Sequence, residues 1–192
     1  MRKLLTVLFV ASLSINANSQ DFEKGGNYVS FGYGLDPFGF PPTIGASYKR
    51  TSIGPILGFY ERGITDILGI GRIGVGGGLG YSIYNQKYTD FFGESVYRRT
   101  RLSIIAKAAY HFEFDVEKMD VYAGVGASVN IYNDVDKYYS AFGILQESKS
   151  SSLGVREYVF VGIRYYFTSN FGVYAEAGYG LSALNGGIVF SF

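Results

Sequence analysis

Apolar residues alternate with small or polar residues, with a period of two, through most of the chain. The alternation is clearest in 98–112, where apolar Leu102 and Ile104 lie on one face and Ser103 and Lys107 lie on the other, with Ile105 as the one exception. A period of two places successive side chains on opposite faces of a β-strand. We therefore predict an all-β fold with strands at 27–35, 52–63, 68–85, 98–112, 119–132, 156–168, 172–181 and 184–192.

The connections between the predicted strands also follow a pattern. Those after the first, third and fifth strands are long and mostly polar, at 36–51, 86–97 and 133–155, whereas the others are short. An even number of strands, with long connections at one end and short turns at the other, is typical of outer-membrane barrels. The predicted fold is an eight-stranded antiparallel up-and-down transmembrane β-barrel.

The two faces of the predicted strands differ as a membrane barrel requires. On strands four to seven, one face is apolar, and the other carries Gly, Ser, Tyr and the isolated charges of Lys107, Arg164 and Glu176. The water-facing side of a soluble sheet would carry many more polar residues. A Lys or Arg facing lipid at the midplane would cost about 2–4 kcal/mol. We therefore expect the apolar face to contact lipid and the mixed face to fill a narrow lumen.

Composition narrows the class of protein further. The chain has 18 Tyr, 16 Phe and 27 Gly, which suits strands, aromatic girdles and a crowded barrel interior. It has no Cys, so disulfides and thiolate metal sites are excluded. The net charge of +1 argues against a nucleic-acid partner.

The first residues have the pattern of a secretory signal peptide. Met1-Arg2-Lys3 is basic, 4–13 is apolar, and Ala17-Asn18-Ser19 is a small-x-small cleavage site. The apolar run is too short to span a membrane as a helix. We expect a signal peptide at 1–19 and one outer-membrane barrel domain at 20–192.

The C-terminal residues resemble the assembly signal of bacterial outer-membrane barrels. That signal has a polar residue, a glycine two positions later and two aromatic residues, which correspond here to Asn185, Gly187, Phe190 and Phe192. The resemblance implies that the last strand closes the barrel and is recognised by the barrel-assembly machinery.

Several internal segments resemble the small eight-stranded outer-membrane barrels, the OmpX-like and OmpA-barrel-like proteins. These segments are 61–66 (ERGITD), 110–112 (YHF), 120–124 (DVYAG), 164–172 (RYYFTSNFG) and 174–180 (YAEAGYG). The resemblance implies a location in the cell outer membrane, in contact with its lipid and lipopolysaccharide. It implies no particular activity, because such folds serve many roles.

Four charged residues are predicted to form an ion-pair network in the lumen: Glu61, Lys107, Arg164 and Glu176. A three-residue turn at 169–171 would place Arg164 directly opposite Glu176. The favoured interpretation is a plug of side chains. The alternative is a narrow channel for ions or small solutes, gated by salt bridges that exchange partners.

An enzyme is not expected. Hydrolytic chemistry needs a nucleophile, a base and an orienting group. The single histidine, His111, lies near a turn beside Glu113, and Ser103 is too far along the strand to be activated. We expect His111, like Arg72, to be a further lumen or interfacial residue. The weakest alternative is a lipid-modifying enzyme, and we predict no cofactor and no metal.

The long connections favour a structural or surface-interaction barrel. They carry many aromatic residues, which suits adhesion or binding of an extracellular ligand. The alternative is that these residues merely extend the outer hairpins. They are Tyr88, Phe91, Phe92, Tyr97, Tyr138, Tyr139 and Phe142.

Overall fold

The computed structural model describes residues 22–35, 48–90, 93–114, 116–139 and 143–192. The described residues contain eight strands: β1 Asn27–Leu35, β2 Tyr48–Gly63, β3 Gly71–Asp90, β4 Gly93–Phe112, β5 Met119–Tyr139, β6 Leu145–Tyr166, β7 Phe171–Tyr179 and β8 Leu184–Ser191. Each strand pairs antiparallel with its neighbours in the chain, and β8 pairs with β1, so the sheet closes. The prediction of an all-β, eight-stranded, up-and-down barrel is confirmed.

The closing pair of strands joins the two ends of the barrel domain. Val29 lies opposite Phe190, and Phe31 lies opposite Ile188. Beyond the last paired residues, the backbone N–H of Asn27 donates to the carbonyl of Phe192 at 3.1 Å. This ladder leaves no open edge between the first and last strands where they overlap.

Strand lengths differ from the prediction at one end of the barrel. At the end that carries the β2–β3, β4–β5 and β6–β7 connections, here called the turn end, the predicted boundaries agree closely with the observed ones. At the opposite, extended end, β3 to β6 have 20 to 22 residues each. The predicted loops 86–97 and 133–155 are therefore largely strand, and that prediction was wrong. Both faces of these extensions carry mainly polar residues, so they lack the alternation of apolar and polar positions from which a strand is predicted.

The predicted aromatic loop residues are divided by this result. Tyr88 lies in β3, Tyr97 lies in β4, and Tyr138 and Tyr139 lie in β5. Phe91, Phe92 and Phe142 lie outside the described residues, as does the predicted signal peptide 1–19. All four placed tyrosines thus lie in strands that extend the hairpins, as the alternative interpretation expects.

The alternation of faces follows the prediction. On β4, Arg101, Ser103 and Lys107 point into the lumen and are buried, whereas Leu102 and Ile104 point outwards and are exposed. The described part of the chain contains no helix that is long and apolar enough to cross a membrane.

Glycines make room for the large side chains of the lumen. Tyr122 lies opposite Gly162, and Phe160 lies opposite Gly124. A Cβ placed at Gly162 would lie 2.4 Å from Tyr122 Cζ, and one at Gly124 would lie 2.4 Å from Phe160 Cζ. Aromatic rings packed on glycines of the neighbouring strand fill the barrel tightly and explain the high glycine content.

Candidate functional site

Six ionisable side chains from five strands meet in the lumen, and each is 5% exposed or less. We call them the lumen cluster: Glu61 of β2, Lys107 and His111 of β4, Asp120 of β5, Arg164 of β6 and Glu176 of β7. In each strand, alternate side chains point inwards, and each of these six residues occupies such a position, whereas the apolar residues next to it point outwards. The structure therefore brings together all four residues of the predicted network and adds two.

Arg164 is held between two carboxylates. Its Nη2 donates to Glu61 Oε2, and its Nη1 donates to Asp120 Oδ2 at 3.3 Å. The guanidinium carbon also lies 4.7 Å from the centre of the Tyr122 ring and 5.4 Å from that of Tyr28. Ion pairing and cation–π contact together offset part of the cost of removing this charge from water.

Lys107 links the two halves of the cluster. Its Nζ lies 3.3 Å from Glu176 Oε1 and 3.7 Å from Glu61 Oε2. The ammonium group also lies 4.7 Å from the centre of the Phe59 ring and 4.9 Å from that of Phe160. Lys107 is thus enclosed by carboxylates and aromatic faces.

Glu176 is surrounded by donors. Tyr158 Oη donates to its Oε2 at 2.6 Å, and Tyr122 Oη donates to its Oε1 at 2.9 Å. Asn185 Nδ2 donates to Oε2 at 3.4 Å. A buried carboxylate with several donors is tolerated because its lone pairs are satisfied.

His111 lies between carboxylates on both sides. Its Nδ1 is 2.8 Å from Asp120 Oδ1, and its Nε2 is 3.0 Å from Glu61 Oε1. The ring donates to both only when it carries both protons, and the cluster then contains three cations and three anions. Phe22 stacks on the ring at 3.5 Å between centroids and covers it from the turn end.

The predicted direct pair between Arg164 and Glu176 is wrong. Arg164 lies opposite Tyr174, and Glu176 lies opposite Gly162. The turn spans 167–170 rather than 169–171, because Thr168 Oγ1 accepts a hydrogen bond from the N–H of Phe171 at 3.1 Å. The register shifts by two residues, so both charges still point inwards but contact other partners.

Sequence reasoning missed Asp120 and Phe22. Asp120 has the same parity as the inward Tyr122, and this parity was the signal that could have found it. Phe22 precedes β1, so no strand pattern indicated its position. Arg72 lies at the rim, where its Nη2 is 2.8 Å from Glu113 Oε1, rather than in the lumen cluster.

Three of the four residues of the predicted assembly signal lie in β8, and Phe192 follows it. They are divided between the inner and the outer face of the barrel. Asn185 is buried and contacts Glu176, and Gly187 lies against β1. Phe190 and Phe192 are exposed on the outside of the barrel. Recognition by the assembly machinery stays a prediction.

The described residues contain no group of three or more His, Asp or Glu side chains suited to hold a metal. Ser103 Oγ donates to Asn130 Oδ1 at 2.6 Å. Both nitrogens of His111 face carboxylates. The histidine is thus not in position to take a proton from this serine.

Comparison with known proteins yields a structural similarity alone. Neither a family model nor a curated protein sequence matches the chain. One similar solved structure is the N-terminal β-barrel domain of Pseudomonas aeruginosa OprF, at 18% sequence identity and a TM-score of 0.41. The alignment covers 88% of this chain and 98% of that one.

Proposed function

We propose that this protein is an integral outer-membrane β-barrel whose lumen is closed by side chains. At its extended end, β2 to β6 form a projecting sheet that serves for interaction at the cell surface. The observation that carries the membrane location is the inversion of polarity. Large apolar residues are half exposed around the outside, while the six ionisable groups of the lumen cluster are buried inside. A soluble barrel would have the opposite distribution, since exposed apolar surface costs free energy in water. Examples from five strands are Phe31, Leu79, Ile104, Val125 and Val161.

Aromatic residues at the turn end support this location. On the β4 side, Tyr110 contacts Phe112 at 5.1 Å between ring centroids. On the β6–β8 side, Phe167 contacts Phe171 at 6.0 Å, and Phe171 contacts Phe190 at 5.2 Å. Such rings are typical of the aromatic girdle at a membrane–water interface.

The signal peptide 1–19 would direct the chain out of the cytoplasm, and the barrel-assembly machinery would recognise the C-terminal residues. Outer-membrane lipid and lipopolysaccharide would then surround the apolar exterior. Short turns face the periplasm in such barrels, so the extended end would face outwards.

A closed lumen favours a structural role over a channel. The lumen cluster and the aromatic rings around it are packed at 5% exposure or less from β2 through β7. Eight strands enclose an interior just wide enough for side chains to fill it. We infer no catalytic role, because neither His111 nor Ser103 is placed to activate the other.

We predict that the protein does not conduct ions. The protein would be refolded in detergent and added to planar lipid bilayers, with protein-free detergent as the control. We expect no conductance steps, because the buried side chains of the lumen cluster fill the interior between the strands. Reproducible steps that require folded protein would instead support the gated channel.

The projecting sheet is the part suited to interaction. β2 to β6 continue at the extended end, and β6 pairs with β7 only from Val159 to Tyr166. From Leu145 to Tyr158, the described residues pair with β6 on its β5 side alone. An unpaired strand edge offers backbone donors and acceptors to an extended segment of another protein.

Adjacent proline substitutions test the role of this edge. Neighbouring residues of a strand direct their N–H groups to opposite sides, so of Ser150→Pro and Ser151→Pro, one removes a hydrogen bond to β5 and the other removes an edge donor. The variant that removes the edge donor is called the edge variant. Compared with cells that express the wild type, cells that express the edge variant should adhere several-fold less to a surface coated with serum proteins. Cells that express neither the wild type nor a variant give the background level of adhesion.

Hydrogen exchange of the β5–β6 amides identifies which variant keeps the hairpin intact. The interaction role would be contradicted if both variants adhere as strongly as the wild type. It would also be contradicted if cells with the wild-type protein adhere no more strongly than the background cells. The location in the membrane would remain testable by fractionation.

A further inference from the structure

A cavity of about 190 Å³, lined by arginines and tyrosines, lies in the barrel mouth at the extended end. Four arginines from three strands line it: Arg50 of β2, Arg99 and Arg101 of β4, and Arg156 of β6. The other described lining residues are one serine and three tyrosines, with no carboxylate. We call this the arginine pocket. The function proposed above assigns it no role.

Two of the four arginines, Arg99 and Arg101, are held in position before any ligand binds. Arg99 Nε and Nη2 donate to the two oxygens of Asp134, each at 2.8 Å. These hydrogen bonds from Arg99 lower the pKa of Asp134 from its ordinary value. Arg101 is 4% exposed, and its Nη2 donates to the carbonyl of Leu181 at 3.4 Å. The β7–β8 connection therefore supports the pocket from below, and the donors lose little freedom on binding.

The tyrosines provide the walls and a further donor. Tyr84 and Tyr97 make an edge-to-face contact at 6.3 Å between ring centroids. The Arg99 guanidinium carbon lies 5.3 Å from the centre of the Tyr132 ring. The Tyr132 hydroxyl is buried and has no hydrogen-bond partner among the described residues. A buried hydroxyl without a partner is uncommon, and a bound acceptor would satisfy it.

We propose that the arginine pocket binds a small phosphate-type oxyanion, either inorganic phosphate or a phosphate monoester. Guanidinium groups match tetrahedral oxyanions through paired, charge-assisted hydrogen bonds. The cavity is smaller than the roughly 300–1,000 Å³ of sites for drug-sized ligands, so the ligand must be small. Arg50 and the side chain of Arg99 are exposed to solvent, so the anion enters from water at the barrel mouth rather than from the lipid.

The test uses full-length protein folded in a neutral detergent, with binding measured by isothermal titration calorimetry. Inorganic phosphate and glucose 6-phosphate are the probes, and glucose is the uncharged control. We expect the double variant R50Q/R156Q to weaken phosphate binding at least about tenfold, since each lost charge-assisted bond is worth roughly that factor.

The matched control is R98Q. Arg98 lies beside Arg99 but on the outside of β4, where its Nε donates to Asn85 Oδ1 at 2.8 Å. R98Q should bind phosphate like the wild type. Heat-modified gel mobility would verify that every variant is folded. R156K provides a second variant that keeps the charge but loses the two-pronged geometry, and it should bind several-fold more weakly.

Two results would support the pocket and identify its ligand. Equal affinity for phosphate and glucose 6-phosphate indicates a site for the free anion, and tighter binding of the ester indicates a phosphorylated sugar. Binding that is absent in the wild type, or that falls equally in R98Q and R50Q/R156Q, would overturn the proposal. Neither result depends on whether the projecting sheet binds a partner.

Discussion

Replacing Arg164 with methionine should lower the free energy of unfolding by about 3–5 kcal/mol, the usual cost of breaking a buried ion pair. Methionine keeps much of the side-chain volume, so the loss arises mainly from charge. Glu61 and Asp120 would lose their shared donor while remaining buried. Guanidinium unfolding in lipid vesicles, followed by circular dichroism, would measure the change.

A second substitution separates charge from packing. R164M removes one positive charge from the lumen cluster, whereas R164M/E61Q also removes one negative charge and so restores the charge balance of the wild type. The double variant should recover at least half of the lost stability. A stability of R164M within about 0.5 kcal/mol of the wild type, the effect of an ordinary surface substitution, would contradict the role of the lumen cluster. A double variant no more stable than R164M would contradict the charge explanation.

Replacing Gly187 with valine should prevent the barrel from closing. A Cβ at this position would lie 2.0 Å from the carbonyl oxygen of Phe31 and 2.5 Å from the Cα of Gly32. Both atoms belong to the backbone of β1, so relief requires the β1–β8 ladder to separate. We expect a loss of at least about 3 kcal/mol, the upper range for overpacking, and little heat-modifiable protein in vesicles.

Gly58 provides the control for this substitution. It faces outwards opposite Phe31, and a Cβ there would lie 3.5 Å from ring atoms, an ordinary contact. Gly58→Val should therefore fold like the wild type. If Gly187→Val folds normally in vesicles but fails to reach the membrane in cells, the packing explanation is wrong and the predicted assembly signal is the better one.

Strand positions at the turn end were accessible from the sequence because the period of two is strong there. β1 begins and ends where the alternation predicts, and β4 and β5 have the predicted ends at the turn between them. The same parity placed Glu61, Lys107 and Glu176 inside. Parity is a local property of a strand, so one sequence is sufficient to detect it.

Contacts across the lumen were not accessible in this way. Parity specifies the face of a strand but not its register, and a turn centred one residue earlier than predicted shifts every partner by two residues. Arg164 therefore contacts Glu61, which is 103 residues away in the chain, rather than Glu176. The projecting hairpins were missed for a related reason, since strands with water on both faces have no apolar period.

The sequence alone determined the all-β class, the number of strands and which residues face inwards, because these follow from the alternation of side chains along each strand. Only the tertiary structure decided which charges touch, how Phe22 covers His111, and how arginines of three strands form one pocket. These depend on the register and closure of the barrel, which bring together residues far apart in the chain.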